Sequence, residues 1–156
     1  MPTVVHARLP NPARLRVEVR TADGHPVEMD GSPPDGDDSA AGPKEVLLAA
    51  LAGCTSMDVA SILGKKRQSA ATYELVVSGE SATDHPRVFT AIVVEHRVTG
   101  AVDAEALRRS IELSATRYCP VNAMLSRSVR IEHRYRLEPD DGEPVEAMVV
   151  VIGPGA

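Results

Sequence analysis

The sequence predicts an α+β protein, because stretches of strict period-two alternation are separated by two segments with helical signatures. Three observations carry this. Val129, Ile131, His133, Tyr135 and Leu137 alternate with Arg130, Glu132, Arg134 and Arg136, the clearest strand pattern in the chain. Val46 to Ala52 is apolar at every position and, with its flanks, is long enough for a helix rather than a strand. Leu107, Ile111 and Ala115 recur at fourfold spacing behind Asp103, a residue suited to cap a helix.

Taken from the N-terminus, Leu15, Val17 and Val19 alternate with Arg14, Arg16, Glu18 and Arg20, which reads as a half-buried strand. Asp23-Gly24 supplies a turn, and Val27 and Met29 resume the alternation, so the pair reads as a hairpin. Asp30 to Gly42 holds Gly, Pro, Ser and four Asp and is a loop. Pro43 suits a first helical turn and Glu45 favours the positive end of the helix dipole, so a helix opens here. Thr55, Ser56, Asp58 and Ser61 add polarity before it ends between Gly64 and Gln68. Tyr73, Leu75 and Val77, then Val88 through Val98, form two more alternating strands around a turn. The amphipathic helix behind Asp103 runs to about Tyr118, and Pro120 opens a short helix over Val121 to Ser126. After the last strand, Glu138 to Pro144 reads as a linker and Val145 to Ile152 as an extra strand or mobile tail. The prediction is about five strands, with residues 1–137 as one domain and 138–156 as an extension. A helix apolar on all sides needs cover on more than one side, which predicts a homodimer.

Composition narrows the function. With 156 residues, 43% of them hydrophobic, the chain suits one globular domain, and aliphatic packing must fill a core that has no Trp and one Phe. A net charge of −5 lacks the basic excess that a nucleic-acid surface needs, and Lys65-Lys66-Arg67 reads as a solvated helix end. The longest uncharged stretch, Val46 to Met57, is too short to cross a membrane, and the start shows no secretory signal, so a reducing cytoplasm is expected. Nucleotide-cradling glycine motifs, a serine-hydrolase elbow and zinc-ligand spacings are lacking, and no metal is expected. His96 and His133 fall on apolar strand faces, where a hydrogen-bonded core histidine is the simpler reading.

Two cysteines in a reducing compartment are not a permanent staple, which leaves redox chemistry to consider. Cys54, behind Ala52-Gly53, is by composition either a small hydrophobe or a nucleophile. Cys119 directly precedes a Pro-initiated helix, where unpaired amides and the dipole favour a thiolate. The two lie 65 residues apart, and their contact is possible but not implied by spacing.

The run from Gly42-Pro43-Lys44-Glu45 through Ala52-Gly53-Cys54-Thr55-Ser56-Met57-Asp58-Val59 to Ser61-Ile62-Leu63 resembles the first signature of OsmC-like proteins. Glu112-Leu113-Ser114 leading into Tyr118-Cys119-Pro120-Val121, with Ala123-Met124-Leu125 behind, resembles the second. Ser78-Gly79-Glu80 and His85-Pro86-Arg87-Val88-Phe89-Thr90 match between them, so the likeness spans roughly residues 14 to 137. The resemblance to the OsmC/Ohr family implies an OsmC-like fold: a curved, mostly antiparallel sheet, a central buried helix and an intertwined homodimer. It further implies that Cys54 attacks a hydroperoxide and becomes a sulfenic acid, that Cys119 resolves it to a disulfide, and that an external dithiol or lipoylated reductant resets the pair without a bound cofactor. The apolar helix around Cys54 favours organic hydroperoxides, at about 0.8 kcal/mol per buried methylene, and the role implied is defence against oxidative or osmotic stress.

The chain also departs from the peroxidase pattern. The family's Glu, ten positions before the reactive cysteine and paired with an N-terminal Arg, is Lys44 here; Glu45 is the candidate to replace it, as in a divergent branch that this chain resembles more closely. Arg14, Arg16 and Arg20 are candidates for the Arg, although all three lie on the polar face of their strand. Two alternatives therefore stand beside the enzyme: a non-enzymatic dimer that binds a small hydrophobic ligand or senses oxidants, and the same fold with inert cysteines.

Overall fold

A computed structural model describes all residues, Met1 to Ala156. The chain divides into two compact units, Met1–Leu47 and Leu48–Ala156. The first holds a three-stranded antiparallel sheet of β1 (Val5–Arg8), β2 (Val17–Thr21) and β3 (Pro26–Met29), in that order. The expected hairpin is β2–β3, with Val19 opposite Val27. The loop after β3 is organised by Asp30, whose carboxylate accepts from the backbone N–H groups of Gly31, Asp37 and Ser39 and from the Ser39 hydroxyl. Those hydrogen bonds, the Ser39 hydroxyl foremost, hold its pKa down at about 2.

The second unit is built on a four-stranded sheet, β4 (Ser69–Ser81), β5 (Phe89–Ala101), β6 (Arg130–Pro139) and β7 (Val145–Ile152), paired in chain order. Instead of about five strands there are seven, in two sheets. β5 and β6 run parallel while the outer pairs are antiparallel. A parallel pair demands a long crossover. Here the crossover carries α2 (Ala104–Leu113), a π-helical turn (Ser114–Tyr118) and α3 (Pro120–Leu125), so the connection that closes the sheet also delivers Cys119 to it. Asp103 caps α2 as expected, its carboxylate accepting from the Ala106 N–H at 2.9 Å.

Helix α1 (Pro43–Lys65) buries Leu51, Thr55, Val59 and Leu63, a stripe at fourfold spacing. The expectation that its apolar turns are wrapped on all sides is not met within one chain, since Leu47 and Met57 stay exposed. By length and composition alone α1 is long and apolar enough to cross a membrane, contrary to the expectation from uncharged residues, because the lone Asp58 interrupts their count without lowering mean hydropathy far.

The core of the second unit separates into two apolar clusters. One gathers Val59, Leu63, Val98, Leu107, Ile111 and Leu137, the other Leu51, Ile92, Val94, Cys119, Val129 and Ile131. On β5 the inward series is Ile92, Val94, His96, Val98, and on β6 it is Ile131, His133, Tyr135, Leu137, so a histidine marks the boundary on both strands.

Candidate functional site

Cys54 stands midway along α1, and Cys119 is the cap residue of α3, extended at φ −73° and ψ 107° because Pro120 restricts the residue before it. Their sulfurs lie 2.7 Å apart, with the Cys119 thiol donating to Cys54. Both are free thiols, Cys54 half-buried and Cys119 2% exposed. The gap is close to the S–S bond length of about 2.0 Å, so a two-electron oxidation can join them with little movement.

Electrostatics divide the labour. Burial, with help from the hydrogen bond to Cys54, pushes the Cys119 thiol up to about 11, although the Asn122 N–H at 3.3 Å and the Thr55 hydroxyl at 3.9 Å both donate to its sulfur. The expectation that the start of a helix would make Cys119 a ready thiolate is thus corrected. Desolvation outweighs the amide, and a six-residue helix has little dipole to offer. Cys119 keeps its proton and spends it on Cys54, the more exposed sulfur.

Asp58 lies one turn beyond Cys54 and accepts from the Ser114 hydroxyl at 3.1 Å. The donor atoms of Cys54, Asp58 and Cys119 all fall within 4.8 Å of one another, a set that suits a thiophilic divalent ion if both thiols give up their protons. Spacing along the chain could not show this trio, because it forms only when the crossover lays Cys119 against α1. Thr55 and Asn122, which no local pattern singles out, are the other members; along the chain Thr55 shows only as polarity on an apolar helix.

The charged candidates sit in the first unit. The Glu45 carboxylate accepts from the Gly42 N–H at 2.7 Å, capping its own helix. Arg14 pairs with Asp37, and Arg16 with Glu28 at 2.7 Å. Arg20 donates to the Gly24 carbonyl at 3.5 Å. On the polar face of the larger sheet a cleft of about 520 Å³ is lined by Glu95, Arg97, Arg134 and Arg136. It is an ion-pair lattice, with Arg97 and Arg134 both on Glu95, and holds no nucleophile.

The fold and the thiol pair define a class of small α+β proteins with a two-cysteine site formed by a central helix and the crossover beside it. Residues 36–134 match the model of the family described as OsmC-like protein. The chain is 39% identical to Protein YhfA of Escherichia coli K12 over 118 residues, covering 75% of this chain and 86% of that one. The chain belongs to the OsmC-like family. In fold it is similar to an OsmC-like protein from Mycoplasma pneumoniae (TM-score 0.75, 16% identity, 88% and 98% of the two chains covered). It is likewise similar to an organic hydroperoxide resistance protein OsmC from Legionella pneumophila (TM-score 0.64, 15% identity, 88% and 97% covered).

Proposed function

We propose that this chain is a thiol-dependent peroxidase that reduces organic hydroperoxides through Cys54 and Cys119. The observation that carries the reading is the 2.7 Å contact between a half-buried sulfur that accepts a hydrogen bond and a buried thiol that donates it. Cys54 is the attacking sulfur, since it is the more exposed of the two. The Cys54 thiolate attacks the distal oxygen of the hydroperoxide, the O–O bond breaks, and the displaced alkoxide takes up one proton and leaves as an alcohol while Cys54 becomes a sulfenic acid. The Cys119 sulfur then attacks Cys54, its proton leaves with the sulfenic hydroxyl as water, and a disulfide remains. An external dithiol, such as a lipoylated protein in a reducing cytoplasm, returns two electrons and two protons. Both electrons reside on the two sulfurs, so the cycle uses no bound cofactor.

Organic over hydrogen peroxide is favoured by the apolar residues beside the thiols: Leu48, Leu51, Val121 and Leu125 share their cluster. Glu45 stands one position after the acidic site of the family pattern, which is Lys44 here; its hydrogen bond to Gly42 fixes where α1 begins, and its part in the reaction is to position that helix. The exposed Leu47 and Met57 of α1 support a homodimer that covers them. Stress defence follows from the chemistry.

A second reading, a non-enzymatic dimer that binds a hydrophobic ligand or senses oxidants, draws on one observation. Arg14 and Arg16, candidate activating cations, are already ion-paired with Asp37 and Glu28. Stopped-flow turnover of cumene hydroperoxide with dihydrolipoamide separates the two. The peroxidase reading expects turnover that disappears in Cys54→Ser. Negligible wild-type turnover, with ligand-dependent thermal stabilisation that persists in the double Cys→Ser variant, would establish the second.

A further inference from the structure

Between the two apolar clusters of the second unit runs a chain of buried polar side chains that the peroxidase chemistry does not use. The Tyr73 hydroxyl lies 2.8 Å from His96 Nδ1, His96 Nε2 lies 3.4 Å from His133 Nδ1, and His133 Nε2 lies 3.2 Å from Asn122 Oδ1. Asn122 Nδ2 donates to the Ala115 carbonyl at 2.6 Å, and its backbone N–H donates to Cys119 Sγ at 3.3 Å. His96, His133 and Asn122 are fully buried. The path crosses β4, β5 and β6 diagonally and ends on the turn that carries the buried thiol.

The direction of every bond follows from its far end. Because Nδ2 of Asn122 faces a carbonyl, Oδ1 faces His133, and an amide oxygen only accepts. His133 Nε2 therefore carries hydrogen. The ring is neutral, since burial holds its pKa down at about 4, so Nδ1 is left as an acceptor. His96 must then donate from Nε2, and burial together with the neighbouring His133 keeps it neutral as well. Its Nδ1 accepts from Tyr73, whose phenol burial keeps protonated. One tautomer of each ring satisfies the whole chain, and no member can turn without orphaning a buried neighbour.

We propose that Asn122 and His133 are positioning residues for disulfide closure, holding the Cys119 turn against Cys54. Asn122 ties the π-helical turn before Cys119, through Ala115, to the first turn of α3 behind it. His133 fixes the orientation of Asn122 from the central strand of the sheet. A π-helical turn is an irregular segment that needs such a tether. Without it, the extended Cys119 keeps its neighbours but loses the geometry that places its sulfur in bonding reach, and an ångström of drift costs about a hundredfold in such steps. The proposal rests on the redox reading of the thiol pair, and a diamide arm is included so that the two can fail separately.

The test follows both half-steps in the full-length protein for wild type, Asn122→Leu, His133→Leu and His133→Gln. Asn122→Ser serves if Asn122→Leu does not fold, and thermal melts verify each fold. Cumene hydroperoxide reports sulfenic acid formation by dimedone capture. Diamide, which takes two electrons and two protons from the thiols to become its hydrazide, reports closure alone. The expected result is closure slowed at least about tenfold in the Leu or Ser variants, by more than sulfenic acid formation is slowed, with trappable Cys54 sulfenic acid accumulating. His133→Gln, whose amide can both accept from His96 and donate to Asn122, should restore closure. Unchanged closure in folded variants, or closure slowed by no more than sulfenic acid formation, would overturn the proposal. If wild type ignores hydroperoxide yet the diamide ranking holds, positioning stands and the peroxidase reading falls.

Discussion

At the scale of single residues, two chemically identical side chains sit in unequal surroundings. Cys119, nearly inaccessible and pushed up to about 11, is a proton donor, while Cys54 receives that hydrogen bond where solvent can reach it. Replacing each separates the roles. Cys54→Ser should abolish sulfenic acid formation, whereas Cys119→Ser should consume one equivalent of hydroperoxide and stop at a dimedone-reactive sulfenic acid, read by mass spectrometry. Such a residue-level asymmetry was only half legible. Both cysteines and their motifs stood out along the chain, but Asp58, Thr55 and Asn122 gather around them through contacts 56, 64 and 3 residues long, two of which no local pattern records. The buried histidines add a pH dependence. Folded His96 and His133 have pKa values of about 3 and 4, below the ordinary 6.5, so the unfolded chain binds more protons between those limits. Stability is therefore complete above pH 6.5 and falls as acid is added below it. Thermal melts from pH 7 to pH 4.5 should show this fall, and His133→Gln should make it shallower than in wild type.

At the scale of elements, the crossover between β5 and β6 is the decisive piece, since it brings the second thiol to the first. Its opening helix depends on Asp103: Asp103→Ala should cost about 1 kcal/mol and lower the urea midpoint without changing the slope of the transition. Elements that half-bury an alternating face were readable, β6 above all, and so was α2, which has both a cap and a fourfold stripe. β1 was not, because Val5, His6, Ala7 and Arg8 are all exposed and leave no contrast between faces. Nor was the parallel pairing of β5 with β6, because side chains alternate identically in parallel and antiparallel strands. The second helix was expected to run unbroken to Tyr118; its last turn is instead π-helical over Ser114–Tyr118, a change of register that propensity does not encode.

At the scale of the whole molecule, the chain belongs to the OsmC-like family, and in its second unit a polar layer divides two apolar clusters and ends at the thiol contact. The exposed apolar residues of α1 belong to this scale. Sedimentation equilibrium is expected to give twice the 16.6 kDa of one chain, and a monomer at micromolar concentration would remove the homodimer from the account. The most direct test of the central claim is the fate of the two sulfurs after one equivalent of organic hydroperoxide, followed by intact mass and free-thiol titration. An intramolecular Cys54–Cys119 disulfide, with both thiols lost together and two hydrogens gone from the mass, is the expected result. Two thiols still titratable, or oxygen added at Cys54 while Cys119 stays free, would contradict it.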